Sequence, residues 1–255
     1  MTRVPRTLRR ALVPIGLIAL WQLLAETGAV DPRITSSPWE IVTALTEMIR
    51  SGELAEHMRI SLFRAVAGLA CGATLATIAG IAAGLSRFGE DALDSTVQAI
   101  RTMPYLGMVP LFILWFGLGE APRITMVALG SFFPVYLNVF KGIRDVDDRL
   151  IDLGRGYRVG RWELIRDVIV PGAMPSALVG LRYALGTAWM SLVVAEQINA
   201  QSGLGYLIVQ ANILAQTSII ITALAVYAVI GILADAIVRL IERRALRWRR
   251  TFEGA

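Results

Sequence analysis

Charge is confined to short clusters in this sequence, and the apolar stretches between the clusters run long enough to cross a bilayer. That spacing limits the chain more than any motif does, because about 20 apolar residues, rising about 1.5 Å each, span the roughly 30 Å hydrocarbon layer. Charged residues are 18% of the 255, below the roughly 25% of an ordinary soluble domain, and hydrophobic residues are 55%. Mean hydropathy is +0.59. These features predict an all-α membrane protein with about six transmembrane helices.

A net charge of +5 and an isoelectric point near 9.9 would also suit a nucleic-acid binder. The arginines, however, stand at the ends of apolar segments and not along one soluble face, which excludes that partner. The single Cys71 lies in a run of small apolar residues and rules out an intramolecular disulfide. His57 is also single, so zinc or haem sites built on several Cys or His ligands are out of reach.

The first apolar segment is 11–25, preceded by Arg3, Arg6, Arg9 and Arg10. Glu26-Thr27-Gly28-Ala29 is a poor cleavage site, so a retained helix with its N-terminus inside is expected in place of a signal peptide. After a polar stretch at 31–38, Ile41, Leu45, Met48 and Ile49 share one face opposite Glu40, Thr43 and Glu47. That is the pattern of a short helix lying on the membrane surface. The second span, 61–85, carries Gly68, Gly72, Ala76, Gly80 and Gly84 at every fourth position. No hydrophobic force drives helices together in lipid, and a seam of small residues lets their backbones approach.

A charged turn at 87–94 precedes a third span near 102–118, where Pro104 and Pro110 predict a kinked or partly broken helix. The fourth span is 124–140, the fifth 172–198 and the sixth 218–238, with a charged stretch at 141–167 and a Gly/Gln/Asn-containing connection before 217. Three regions follow: an N-terminal helix plus outer interfacial helix (1–60), a core transmembrane domain (61–241) and a basic cytoplasmic tail (242–255). Nineteen Lys and Arg residues fall on one side of the spans, in the N-terminus, at Arg87 and Arg101, in 141–167 and in 239–250. Five fall on the other, Arg33, Arg50, Arg59, Arg64 and Arg123, while Arg182 is within a span. That bias places both termini and the long loop in the cytoplasm of a multi-pass inner-membrane protein.

The long loop reads IDLGRGYRVGRWELIRDVIVPGAMP over 151–175. Trp162, Leu164 and Ile165 stand there among charges, which suits either a helix offered to another protein or apolar residues packed back on the bundle. Its G-x-G-x-x-x-G spacing lacks a preceding strand and is no nucleotide fingerprint. Lys141 sits between Phe140 and Gly142, so the chain has no phosphate-cradling lysine loop and is not itself an ATPase. No catalytic constellation is visible, and none of the residues forms a metal set.

Aligned on Pro171, the loop follows a pattern shared by importer permeases, E-A-A-x-x-x-G, nine residues, then I-x-L-P. Asp152, Leu153 and Gly154 stand for E-A-A, Arg158 stands where glycine is expected, and Val168, Val170 and Pro171 take the later positions. The runs SGELAEHMRIS, GLSRFGEDALD, VPLFILWFGLGE, GIRDVDDRLID, PGAMPSALVGLRYALG and VVAEQINAQSGLGYLI resemble the ABC importer permeases for aliphatic sulfonates, taurine and nitrate, in order and over nearly the whole chain. The aliphatic sulfonate branch is the most similar in character.

The resemblance implies a five-helix importer-permease core after the first helix, and a cytoplasmic coupling helix seated in a groove of an ATPase subunit. Asp152, Gly154, Arg158, Gly160, Trp162, Leu164 and Pro171 are the expected coupling residues. The implied partners are a second copy of the chain, two ATP-binding subunits, an extracytoplasmic substrate-binding protein and the bilayer. ATP is bound by the partner ATPase, and this chain carries no cofactor. A self-sufficient secondary transporter or channel is the alternative function. It would need intramembrane carboxylates or inverted repeats, and no internal repeat is seen. A membrane-embedded enzyme lacks its catalytic inventory.

Two charged residues in the fifth span are candidates for the translocation pathway. Arg182 lies about ten residues into it, near mid-depth, where an arginine costs about 2.5–3.5 kcal/mol and must face protein or water. It either attracts an anionic solute or pairs with an inner-face carboxylate. Glu196, at the outer end, is a gate or a packing residue, and Asp235 is expected to pair with the basic tail.

Reporters fused after Gly89, Arg155 and Ala255 are expected to read cytoplasm, and after Asp31, Glu120 and Gln201 the exterior. A cytoplasmic signal at Glu120 would mean that the third and fourth spans are misplaced.

Overall fold

The computed structural model describes residues 6–28, 35–198 and 200–246, with side chains from 13 and from 15 onward. Arg3, Asp31, Arg33, the tail beyond 246 and the side chains of Arg6, Arg9 and Arg10 lie outside the described residues. Every described element is a helix: α1 (Arg6–Glu26), α2 (Pro38–Ser51), α3 (Glu53–Leu85), α4 (Arg87–Arg101), α5 (Tyr105–Phe116), α6 (Glu120–Arg144), α7 (Asp148–Gly156), α8 (Arg161–Gln197), α9 (Leu204–Ile213) and α10 (Thr217–Ala245). Among the described residues, α3, α6, α8 and α10 are long and apolar enough to span a membrane, and α4 with α5 passes as a fifth span bent by 81°. The apolar part of α1, Ile15–Glu26, is shorter, so the count is four or five against the six expected.

Residues 1–60 with 200–228 form one compact unit, and residues 61–199 with 229–255 another. In the first unit, α2 starts on a capping box. Glu40 donates its backbone N–H to Ser37 Oγ at 3.2 Å, and the Ser37 N–H donates to Glu40 Oε2 at 2.9 Å. Gly52, at φ +81°, ends the helix in the left-handed conformation glycine favours. The Trp39 N–H donates to Gln22 Oε1 at 3.1 Å and ties α2 to α1. Thr222 Oγ1 donates to the Ile41 carbonyl at 3.3 Å, and the Gly203 N–H donates to His57 Nδ1 at 3.0 Å. The connection expected before 217 contains α9, which buries Leu204, Leu207 and Ala211 along one face.

The second unit is built on α6. Its first neighbour is α3, whose seam of small residues lies directly on it. A Cβ on Gly68 would stand 2.5 Å from Val127 Cβ, one on Gly80 3.0 Å from Val139 Cβ, and one on Gly84 2.9 Å from Ile143 Cβ. At Gly72 an added Cβ would run into the Ala128 carbonyl and Ser131 Oγ, and Ala76 between them is fully buried. On its other side α6 meets α8 as closely: a Cβ on Gly180 would stand 2.6 Å from Asn138 Cβ, and one on Gly142 2.8 Å from Ser176 Cβ. Dispersion between backbones in contact is what holds helices together in lipid, and both seams supply it.

Against α6 also lies the pair α4 and α5. Glu90 of α4 pairs with Arg144, at one end of α6. Tyr136 donates its hydroxyl to Asp94 Oδ1 at 3.3 Å, and Val97 packs in the core with Phe133, Val135 and Tyr136. The chain then bends at 102–104, and Tyr105 reaches Ser191 Oγ at 3.2 Å beside Gly130. From there α5 continues toward the Glu120 end, with Val109 and Phe112 packed on Met126 and Ala195. The helical pair thus runs from Arg87 to Phe116, with its break at 102–104, where the sequence placed the start of the third span. Glu90 and Asp94 made the segment look like a loop, but their partners on α6 let a helix carry them.

Replacing Gly72 with alanine is expected to cost about 1–3 kcal/mol, because the added methyl meets a backbone carbonyl that cannot give way. Gly186→Ala has open space around it and is expected to leave the melting temperature of the detergent-solubilised protein unchanged or raised. Equal melting temperatures for the Gly72 variant and the parent would remove the seam from the account of packing.

Candidate functional site

At the Glu120 end of α6, three helices are joined through one guanidinium. Arg64 of α3 has no exposed surface. Its Nε and Nη2 donate to the two Glu120 oxygens at 2.5 and 2.7 Å, and its Nη1 donates to Glu196 Oε1 of α8 at 2.7 Å. Ser61 Oγ, one turn earlier on α3, lies 2.8 Å from both Glu196 oxygens. Arg123 completes the group, donating from Nη1 to the Gly119 carbonyl at 2.7 Å and lying 3.4 Å from Glu120 Oε1. Glu196 is 1% exposed, so its charge is balanced by protein and not by water.

The sequence pointed to Glu196 but counted Arg64 among the outer arginines and passed over Ser61 and Glu120. A signal was present. Arg64 stands four residues before Gly68, on the same every-fourth-residue line as the glycines that face α6.

Toward the Arg144 end, Arg182 of α8 pairs with Glu242 and lies 3.7 Å from Asp235 Oδ1, both on α10. Arg239 in turn meets Asp235 Oδ2 at 2.7 Å. The carboxylate partner considered for Arg182 is therefore in place, and Arg182 and Glu196 are in separate clusters. Asp235 has its basic partner as expected.

The loop between α6 and the body of α8 folds as two short helical pieces. Asp152 and Gly154 are on α7, with Asp152 exposed and 3.5 Å from Arg155. After α7 the backbone turns left-handed at Arg158, with φ +56°, while the Arg158 and Val159 N–H groups donate to the Arg155 and Gly154 carbonyls at 2.9 and 3.0 Å. Glycine is the residue that adopts this φ without strain, so arginine holds it here at a cost of about 1–2 kcal/mol. Gly160 then precedes α8, its N–H donating to Glu163 Oε2 at 3.2 Å. Leu164 is buried, and a Cβ on Gly154 would stand 2.7 Å from Leu164 Cδ1, so the small residue at 154 lets α7 fold against α8. Pro171 is half-buried in the first part of the long apolar stretch of α8.

This fold sorts the loop's apolar residues into two sets. Leu164 packs inward. Leu150, Leu153, Tyr157 and Trp162 stay exposed, Tyr157 at 78% and Trp162 at 72%. Among the described residues no group of three His, Cys, Asp or Glu side chains is placed to hold a metal ion.

The chain is similar to known transport proteins. The family described as binding-protein-dependent transport system inner membrane component matches residues 72–247. A Bacillus subtilis protein named as the aliphatic sulfonates transport permease SsuC is 44% identical over 95% of this chain and 88% of its own. The Escherichia coli protein of the same name is 44% identical over 92% and 90%. The Escherichia coli taurine transport system permease TauC is 30% identical over 91% and 86%. Among solved structures, a chain of an amino acid ABC transporter superposes with a TM-score of 0.64, covering 78% of this chain and 97% of that one at 19% identity. A chain of the inward-facing methionine transporter MetNI gives 0.61, covering 83% and 99% at 16% identity, so the fold is shared.

Arg64→Leu is expected to cost about 3–5 kcal/mol, because it leaves the buried Glu196 without its counter-charge, and Glu196→Leu is expected to cost less, because Glu120 still pairs with Arg64. The double variant is expected to lose less than the sum of the two, read as thermal stability in detergent. Additive losses would mean that the two charges do not depend on each other.

Proposed function

Because the chain belongs to the family of binding-protein-dependent transport system inner membrane components, as a permease subunit of an ABC importer, we propose that it forms the channel for aliphatic sulfonates or a related small anion. It is a transport subunit and not an enzyme: ATP is used by partner ATPases. The observation that carries the solute class is the identity of 44% to the two sulfonate permeases over nearly the full length of all three chains. In this reading two copies of the chain enclose the pathway, with both termini and the α7 loop in the cytoplasm and the Arg64–Glu196 cluster toward the exterior. An extracytoplasmic binding protein delivers the solute there and sets most of the selectivity.

The α7 loop is the coupling element. Its Leu153, Tyr157 and Trp162 are each exposed, and an ATPase groove would cover them. Gly154 and the left-handed Arg158 shape the two helical pieces. Pro171 begins the run that transmits their displacement into α8, and Gly160 and Leu164 fix the turn between them. Ser61, Arg64 and Glu196 hold α3 to α8 at the far end, where opening toward the exterior would have to separate or carry them together.

Uptake of a labelled alkanesulfonate into proteoliposomes holding the complete complex tests the solute class, and absence of uptake with intact ATP hydrolysis would overturn it. For coupling, cysteines at Gly160 or Trp162 are expected to cross-link to the ATPase subunit. Charge reversal at Arg158 is expected to uncouple uptake while the protein remains inserted. Full transport after replacing residues 152–162 with a Gly/Ser linker would end the docking proposal.

A further inference from the structure

Within the spanning helices Arg64, Arg123 and Arg182 each have carboxylate partners. Arg64 and Arg123 share Glu120, with Glu196 completing the group, and Arg182 has Glu242 and Asp235. Arg101 differs. It is the last residue of α4, it is exposed, and among the described residues it makes no ion pair and no side-chain hydrogen bond.

Its depth follows from its neighbours along α6. Val97, one turn earlier, is in the buried cluster built around Phe133, Tyr136 and Val139, and Tyr105, just after the bend, sits beside Gly130. Gly130 is about 15 Å from the Glu120 end of α6 and about 21 Å from the Arg144 end, at about 1.5 Å per residue. Arg101 therefore stands near the middle of the bilayer, although the sequence grouped it with the cytoplasmic arginines.

The backbone at this point is irregular as well. Thr102, Met103 and Pro104 separate helices bent by 81°, and all three are exposed. Irregular backbone at membrane depth is tolerated only against protein or a water-filled cavity, and an unpaired guanidinium at that depth carries the same requirement. Two independent features of one short segment thus exclude lipid as its surroundings.

We infer that Arg101 and the 102–104 break line the water-filled pathway and form a half-way station for the oxyanion head of the solute. The planar guanidinium presents paired N–H donors that match the oxygens of a sulfonate or a carboxylate, and among the described residues no carboxylate pairs with them. Tyr105 and Ser191, hydrogen-bonded to each other at 3.2 Å, put two hydroxyls at the same level. The station rests on the importer reading above and specifies where in the path an anion would be held. It is not the site considered at Arg182, whose charge is already matched by Glu242 and Asp235.

The test uses Met103→Cys, 51% exposed at the break, in a Cys71→Ser background, with the chain assembled in proteoliposomes with its ATPase and binding protein. Anionic and cationic methanethiosulfonate reagents of similar size probe the thiol. The anionic reagent is expected to react about tenfold faster, as a cleft of one charge concentrates counter-ions. That preference is expected to vanish with Arg101→Gln and persist with Arg101→Lys, and butanesulfonate is expected to slow the labelling. Equal rates for the two reagents with Arg101 present would overturn the station, as would a thiol that neither reagent reaches. If the charge preference is found but the parent complex does not take up butanesulfonate, the station stands and the solute class falls. Uptake of butanesulfonate without any charge preference leaves the importer reading intact and removes the station.

Discussion

A guanidinium removed from water needs its charge answered within reach of its own nitrogens, and at Arg64 that need fixes three helices at once. Glu120 begins α6, Glu196 nearly ends α8, and both carboxylates converge on one side chain of α3. The arrangement sets the axial position of the helices, since a slip of one turn would carry a carboxylate about 5 Å away and leave a buried charge without its partner. Close packing alone does not impose this. Glycine seams allow helices to approach, but they bind weakly to any one register.

The seams and the cluster therefore divide the work. Along α3, Gly68, Gly72, Gly80 and Gly84 bring the backbone onto α6, and along α8, Gly180 does the same from the opposite side. The ion group then selects which of the possible alignments persists. At the other end of α6 the ties are partly exposed: Arg144 with Glu90, and Arg182 with Asp235 and Glu242. Exposed pairs contribute little and exchange readily with water, so the loop-bearing end is held mainly by packing at Gly142, Ile143 and Ala173.

Much of this was legible in the sequence. The spans beginning near 61, 124, 172 and 218, the small-residue seam and the α7 loop each rest on local patterns that tertiary contacts did not override. Where the reading differed, the cause was long-range pairing. Glu90 and Asp94 looked like loop residues because their partners lie about 40–50 residues away on α6. Arg64 and Arg101 were counted by nearness to charged turns, but one is buried among carboxylates and the other is half-way along a span. α9 was taken as a connection since its glycines and amides dominate a short stretch, while the Leu204, Leu207 and Ala211 face was present throughout.

The left-handed turn at Arg158 bears on how such loops vary. A surface position usually accepts almost any polar residue and resists only large apolar ones. Here the backbone sets the order instead, since φ is +56° whatever the side chain. Glycine fits best, asparagine and aspartate next, and the β-branched residues worst, because their crowding at Cβ is greatest in that region. Position 158 of this chain is thus constrained by a torsion angle more than by a chemical group.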